Sequence, residues 1–186
     1  KRNKLKTTRG HKIVSAREGE FEIESSRYPF CACEPEGGSA PAYPVCAKDD
    51  PAKDNSIRSA MTLIPFNQDL NRMMLVARNG KAKSYKVTWG GESQSFSARQ
   101  LSAGVNLAEA FPGNPFGAAF ARVDAAVAAK QAYETTQIKQ RFRSPEARAD
   151  MEAVAVQTEK EHQPLVSAIK AAFVPVRHTI KIVAEE

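Results

Sequence analysis

Residues Tyr85 to Phe116 decide the fold: they open as Tyr85-Lys-Val-Thr-Trp-Gly-Gly91, pass through Gly104-Val-Asn-Leu-Ala108 and close as Phe111-Pro-Gly-Asn-Pro-Phe116. Tyr85, Val87 and Trp89 alternate with Lys86 and Thr88, the period of a strand with one buried face. Gly90-Gly91 can turn the chain back, so Ser93 to Phe96 reads as the returning strand. Ser97 followed three residues later by Gln100 is a capping-box pattern, which starts a short helical turn. Gly104 is expected to end that turn in the left-handed conformation. Val105 to Ala108 then passes inward, and Asn114-Pro115 supplies an N-cap and a first-turn proline for a long helix. Before this stretch the chain reads as strands and turns, and after it as helices.

Upstream, His11 to Glu24 is extended, with Phe21 and Ile23 alternating with Glu20, Glu22 and Glu24. Ile57 to Asn67 has strand character, carrying Met61 and Leu63 with Pro65 at its end. A polar turn at 67–71 leads to a strand over Arg72 to Arg78. Asn79-Gly80 is the strongest short-range hairpin signal and predicts pairing of that strand with Tyr85–Trp89. Downstream, Phe116, Phe120, Val123, Val127, Ile138 and Phe142 form one helical stripe. Ser144-Pro145 breaks it and starts a second helix carrying Met151, Val154, Thr158, Leu165 and Ile169, which Pro164 should kink or divide near Glu161. After Pro175, Val176, His178, Ile180 and Ile182 alternate with Arg177, Thr179 and Lys181, a final strand expected to return to the sheet.

The expected class is α+β: an antiparallel sheet or small β-sandwich, then a long helical hairpin, then a C-terminal strand that rejoins the sheet. The expected divisions are a basic arm over 1–12, a β-rich part over 13–112 with an irregular loop over 31–56, the hairpin over 113–174 and the terminal strand over 175–186. Beginning at lysine with no signal peptide before it, the chain reads as a processed product or a piece of a longer one.

Composition narrows the function classes. The 186 residues are 42% hydrophobic and 26% charged, ordinary for a globular chain, and no window is apolar enough for a transmembrane helix. The net charge of +6 comes from Lys1, Arg2, Lys4, Lys6, Arg9 and Lys12; the remaining 21 basic residues match the 21 acidic ones. A basic arm on a neutral body can hold an anionic surface, but with no nucleic-acid motif behind it the plainer reading is a solvated tail or severed linker. Cys31, Cys33 and Cys46 share a region rich in Pro and Gly. They lack a fourth ligand for zinc, so no metal site is assigned. A 31–46 or 33–46 disulfide would stabilise the loop by about 3 kcal/mol and leave one thiol over; three reduced cysteines are the alternative.

No Gly-Asp-Ser block, Gly-x-Ser-x-Gly elbow, Gly-rich phosphate loop or His-Glu-x-x-His motif occurs, so no catalytic residue and no cofactor is assigned. His11, His162 and His178 are too far apart in sequence to suggest a constellation. His178, on an apolar strand face, reads as a core or interface histidine, and His162 as part of a solvated charged helix surface. A Ser–His–Asp triad drawn from distant segments would have no serine favoured locally. Trp89, the single tryptophan, fits a core position, with a cleft, partner or sugar contact as the alternative. Asn106, inward-facing between Val105 and Leu107, needs hydrogen-bond partners: it either ties down the local backbone or meets a neighbouring domain.

Several segments together resemble the C-terminal accessory region of bacterial SGNH/GDSL-type hydrolases: Ser25-Ser-Arg-Tyr-Pro-Phe-Cys31, Ile64-Pro-Phe-Asn67, Tyr85 to Gly90, Phe96-Ser-Ala-Arg-Gln-Leu101 and Gly104 to Ala108. The correspondence spans most of residues 11–143. The resemblance implies a secreted or periplasmic serine ester hydrolase acting on acyl or acetyl esters, whose nucleophile and Asp-x-x-His block belong to an upstream catalytic domain. This chain carries neither block. The expectation is therefore a non-catalytic region that shapes the cleft of that domain or supports homo-oligomerisation. A free-standing structural or interaction module with a basic N-terminal arm is the rival reading.

Overall fold

The structure, a computed structural model, describes residues 5–31, 61 and 63–185. The arm's first four residues, Cys33, Cys46 and nearly all of the 31–56 loop lie outside them. The described chain forms two compact units, residues 1–120 with 175–186, and residues 121–174.

The first unit is built on one five-stranded antiparallel sheet, of class α+β as expected. Its strands are β1 (His11–Arg17), β2 (Glu20–Ser25), β4 (Ser84–Trp89), β5 (Glu92–Ser97) and β7 (Val176–Glu185). Their spatial order is β1-β2-β7-β4-β5, so the last strand in sequence is the central one. Paired residues share a face, and the registers Val87↔Ile182, Trp89↔Ile180, Phe21↔Ile180 and Ile23↔His178 put the apolar set on one side. The opposite side carries Glu22, Glu24, Arg177, Thr179, Lys181, Lys86 and Thr88, with Arg177 and Glu24 paired at 3.1 Å. Period-two alternation across the whole sheet gives one dry face and one wet one.

The dry face is covered by short elements from the organising stretch: α2 (Ala98–Ala103), α3 (Leu107–Ala110) and the segment leading into α4 (Gly117–Lys139). Val87, Trp89, Leu101, Leu107, Phe111 and Phe116 are each at most 1% exposed and form the core. Trp89 meets Phe111 edge-on at 6.0 Å and Phe116 at 6.0 Å. The β4–β5 hairpin turns at Gly90, φ +65°, where an added Cβ would sit 3.2 Å from the Pro115 ring. The Ser97–Gln100 capping box forms in full, and Asn114 Oδ1 caps the helix start by accepting from Phe116 N–H at 3.0 Å.

Several expectations need correction. Residues 63–67 are turns running into a short helix α1 (Phe66–Asp69), not a strand; Pro65 precedes it and its carbonyl accepts from Gln68 and Asp69. The Asn79-Gly80 turn exists, with Asn79 at φ +62°, but joins no hairpin: both edges of β4 are taken by β5 and β7. The 72–78 stretch contributes only β3 (Met74–Leu75), paired with β6 (Val105–Asn106) in a separate ribbon, while the loop wraps the Tyr85 hydroxyl, which accepts from Ala82 N–H at 2.9 Å. Gly104 has the expected positive φ, +113°, but its ψ of 129° is extended rather than left-handed helical, because the chain runs straight into β6.

The second unit's helices also start and run differently. α4 ends at Lys139, a 3-10 turn follows over Arg141–Arg143, and Ser144-Pro145 starts only the short α5 (Pro145–Ala149). Asp150 then caps α6 (Met151–Ala172), its carboxylate accepting from Ala153 N–H at 2.9 Å. Pro164 lies inside α6 without dividing it. Its missing N–H leaves only the carbonyl of exposed Lys160 without a helical donor, which water can satisfy. The hairpin seam is polar. Tyr133 Oη lies 2.8 Å from Thr158 O and 3.0 Å from Glu161 Oε2, and Gln137 Nε2 donates to Thr158 Oγ1 at 2.9 Å.

Candidate functional site, a buried serine–histidine–tryptophan cluster

Strand register brings together residues that sequence distance separates. His11 stands opposite Ser25 on β1 and β2, and β7 places His178 beside them on the same face. Ser25 Oγ lies 2.8 Å from His11 Nδ1 and 2.9 Å from His178 Nε2. From the other side, Trp89 Nε1 donates to His178 Nδ1 at 3.0 Å. Ser25 and Trp89 have no exposed surface and His178 has 5%. The Phe116 ring packs 5.0 Å from the imidazole.

The protonation pattern follows from the partners. An indole N–H can only donate, so His178 Nδ1 must present its lone pair and the imidazole proton sits on Nε2. Nε2–H then donates to Ser25 Oγ. A general base needs the reverse, a free nitrogen lone pair facing the hydroxyl. This histidine is wired to hold the serine, not to activate it. Burial, and then the charge on His11, pushes His178 down to about 4, so it is neutral over the physiological range. Burial, and then Arg27, likewise lowers His11. No carboxylate among the described residues hydrogen-bonds either ring.

The cluster corrects the expectation that the histidines form no constellation. Its signal in the sequence was the shared parity of His178 and Ile180 on one strand and of Trp89 and Val87 on another. What no pattern could show was that β7 lies between β2 and β4.

The other singled-out residues have plain placements. Trp89 is fully buried in the core among the described residues. Asn106 is half-buried and fully committed: Oδ1 accepts from Met73 N–H at 2.9 Å, and Nδ2 donates to the carbonyls of Asn67 and Asn71, each at 2.9 Å. It ties down the 67–73 backbone, the first of the two roles open to it. Cys31 is a free, buried thiol bonded to Asn114 Oδ1 at 3.5 Å, and burial pushes it up to about 12. Its thiolate is scarce, and it is no nucleophile. Cys33 and Cys46, and any pairing between them, lie outside the described residues.

His162 is not the solvated group expected. Its Nε2 lies 3.2 Å from Glu134 Oε1 and its Nδ1 3.6 Å from Glu159 Oε2, with the ring stacked on Tyr133. Lys130, at 2.5 Å, is the main cause holding Glu134 below the usual carboxylate range. The groove beside this network, lined by Gln131, Glu134, Thr135, Ile138 and Lys139, is walled by α4 alone. Among the described residues no three His, Cys, Asp or Glu side chains converge as metal ligands, and no helix is long and apolar enough to cross a membrane.

No protein-family model matches the sequence, and no curated protein matches it. Among solved structures the fold is similar to that of a gut microbial diltiazem-metabolizing enzyme, with a TM-score of 0.54 at 15% identity. The similarity takes in 95% of this chain but 46% of the enzyme, so the chain spans less than half of that protein's length.

Proposed function

We propose that this chain is a non-catalytic accessory region of an SGNH/GDSL-like ester hydrolase, one that shapes the cleft of an upstream catalytic domain or supports oligomerisation. The observation that carries this reading is the wiring of His178. The buried Ser–His pair in the described chain has its imidazole proton committed to the serine and its other nitrogen to an indole, the opposite of an activated nucleophile. The fold similarity supports the reading, since nearly all of this chain corresponds to under half of an enzyme. So do the exposed apolar side chains near α1 and β3 in sequence, Leu63 at 83%, Leu70 at 72% and Val76 at 48%, which a partner domain could cover. On this reading the parent protein is secreted or periplasmic.

The test is hydrolysis of p-nitrophenyl acetate by the purified chain. No turnover above a Ser25→Ala control is expected. Turnover that disappears with Ser25→Ala or with any other single serine of this chain overturns the proposal. Light scattering in the same preparation discriminates the rival: a well-behaved monomer that binds no catalytic domain indicates a free-standing module.

A further inference from the structure

His178 sits where two separate stretches of chain are fastened to the sheet. One is β7 itself, which begins two residues before His178, directly after the helical unit. The other is the segment before α4, whose Phe116 ring lies against the imidazole. We propose that His178 is an acid-sensitive latch: protonating Nδ1 breaks its bond to Trp89 and loosens both β7 and the Phe116 segment, the two stretches through which the chain leaves for the helical unit and comes back from it.

The geometry makes the neutral ring a requirement. A protonated Nδ1 would point an N–H at the Trp89 N–H from 3.0 Å, and neither group can accept. The charge would also enter a core of Trp89, Phe111 and Phe116, where an unpaired cation is costly. The groups facing the ring offer no relief. From β2 comes Ser25, and behind it from β1 comes His11, whose charge opposes one on His178 and is itself opposed by Arg27. From the loop after β2 come Tyr28, packed on Phe116 at 5.4 Å, and the protonated thiol of Cys31. Glu92, cross-strand from Trp89, is engaged by Gly113 N–H at 3.2 Å. Glu24 and Arg177 pair with each other on the opposite face.

The sign follows from linkage. The closed ring holds its proton only near pH 4, whereas an opened strand returns it to about 6.5. The open form therefore binds protons more tightly. The closed form is fully favoured above pH 6.5, and opening gains about tenfold per unit as the pH falls toward 4.

Trp89 is the single tryptophan, so its emission reads the latch directly in the full chain. Between about pH 7.5 and about pH 4 we expect a one-proton change in emission with faster amide exchange along β7. His178→Gln can still accept from Trp89 and donate to Ser25 but cannot titrate, and should abolish the change; His11→Gln should leave it in place. Flat emission in the unmodified chain overturns the proposal, as does an unaltered transition in His178→Gln. Should His178→Gln not fold, nitrogen-15 spectra of the unmodified chain decide. A transition that coincides with protonation of His178 supports the latch, and one that follows His11 sinks it.

Discussion

Asn106 shows how a single polar side chain can hold a loop whose backbone has no ladder of its own. The 70–73 segment follows a helix of one turn and precedes a strand of two residues, so it has little regular hydrogen bonding to define it. Three bonds from one amide supply what secondary structure does not. Asn106→Ala is expected to destabilise the sheet unit by about 2–3 kcal/mol, since each bond contributes roughly 1 kcal/mol and a half-buried Met73 N–H loses its partner. Urea unfolding followed by Trp89 emission checks this, and a change within about 0.5 kcal/mol would show that water replaces the amide without loss. The need for partners at Asn106 was legible in the sequence, because a polar residue between two inward-facing apolar ones must be satisfied. Their identity was not, since the partners are backbone atoms whose position depends on α1, a helix hidden behind a strand-like apolar run at 61–66.

Among the elements, α6 carries the clearest internal conflict. Pro164 sits mid-helix, removes one hydrogen bond and yet does not end the helix. The reason is length: thirteen helical residues precede it and eight follow, so each side propagates independently of the missing bond. Pro164→Ala should therefore stabilise the helical unit, by about 1–3 kcal/mol, because the side chain is exposed and its replacement restores the bond to Lys160. Far-UV circular dichroism on heating measures it; an unchanged or lowered midpoint would mean the proline fits a bend that alanine cannot keep. Local signals were legible wherever they were closed within a few residues: the Gly90-Gly91 hairpin and the Ser97 box form as read, and Asn114 holds Phe116 N–H just ahead of a helix that starts at Gly117 rather than Pro115. They failed where the outcome turned on competition between distant segments. Asn79-Gly80 has the right turn chemistry, but the edge of β4 it would have filled belongs to β7, ninety residues on. The stripe at Ile138 fails similarly: that residue is 58% exposed, because the seam of the hairpin is made of Tyr133, Gln137, Thr158 and Glu161 instead.

The two units differ in what holds them. The sheet unit has an aromatic and aliphatic core of six side chains at most 1% exposed, whereas the helical unit buries only Ala147, Thr158 and Ala172. Small side chains exclude little apolar surface from water, so the helical unit leans on side-chain hydrogen bonds worth about 1 kcal/mol each. Loss of helical circular dichroism should precede the change in Trp89 emission on heating or in urea, giving two curves that do not coincide. Coincident curves would show the units unfold as one. The position of β7 has a further outcome during synthesis. A ribosome delivers the β1–β2 and β4–β5 hairpins early, then makes roughly 80 more residues before the strand that joins them, a delay of about 4–16 s at usual elongation rates. Throughout that interval each hairpin presents an unpaired edge and a bare apolar face. A nascent chain stalled before Val176 should thus be a target for holdase chaperones and for aggregation, and one whose β7 has cleared the ribosome should be far less so.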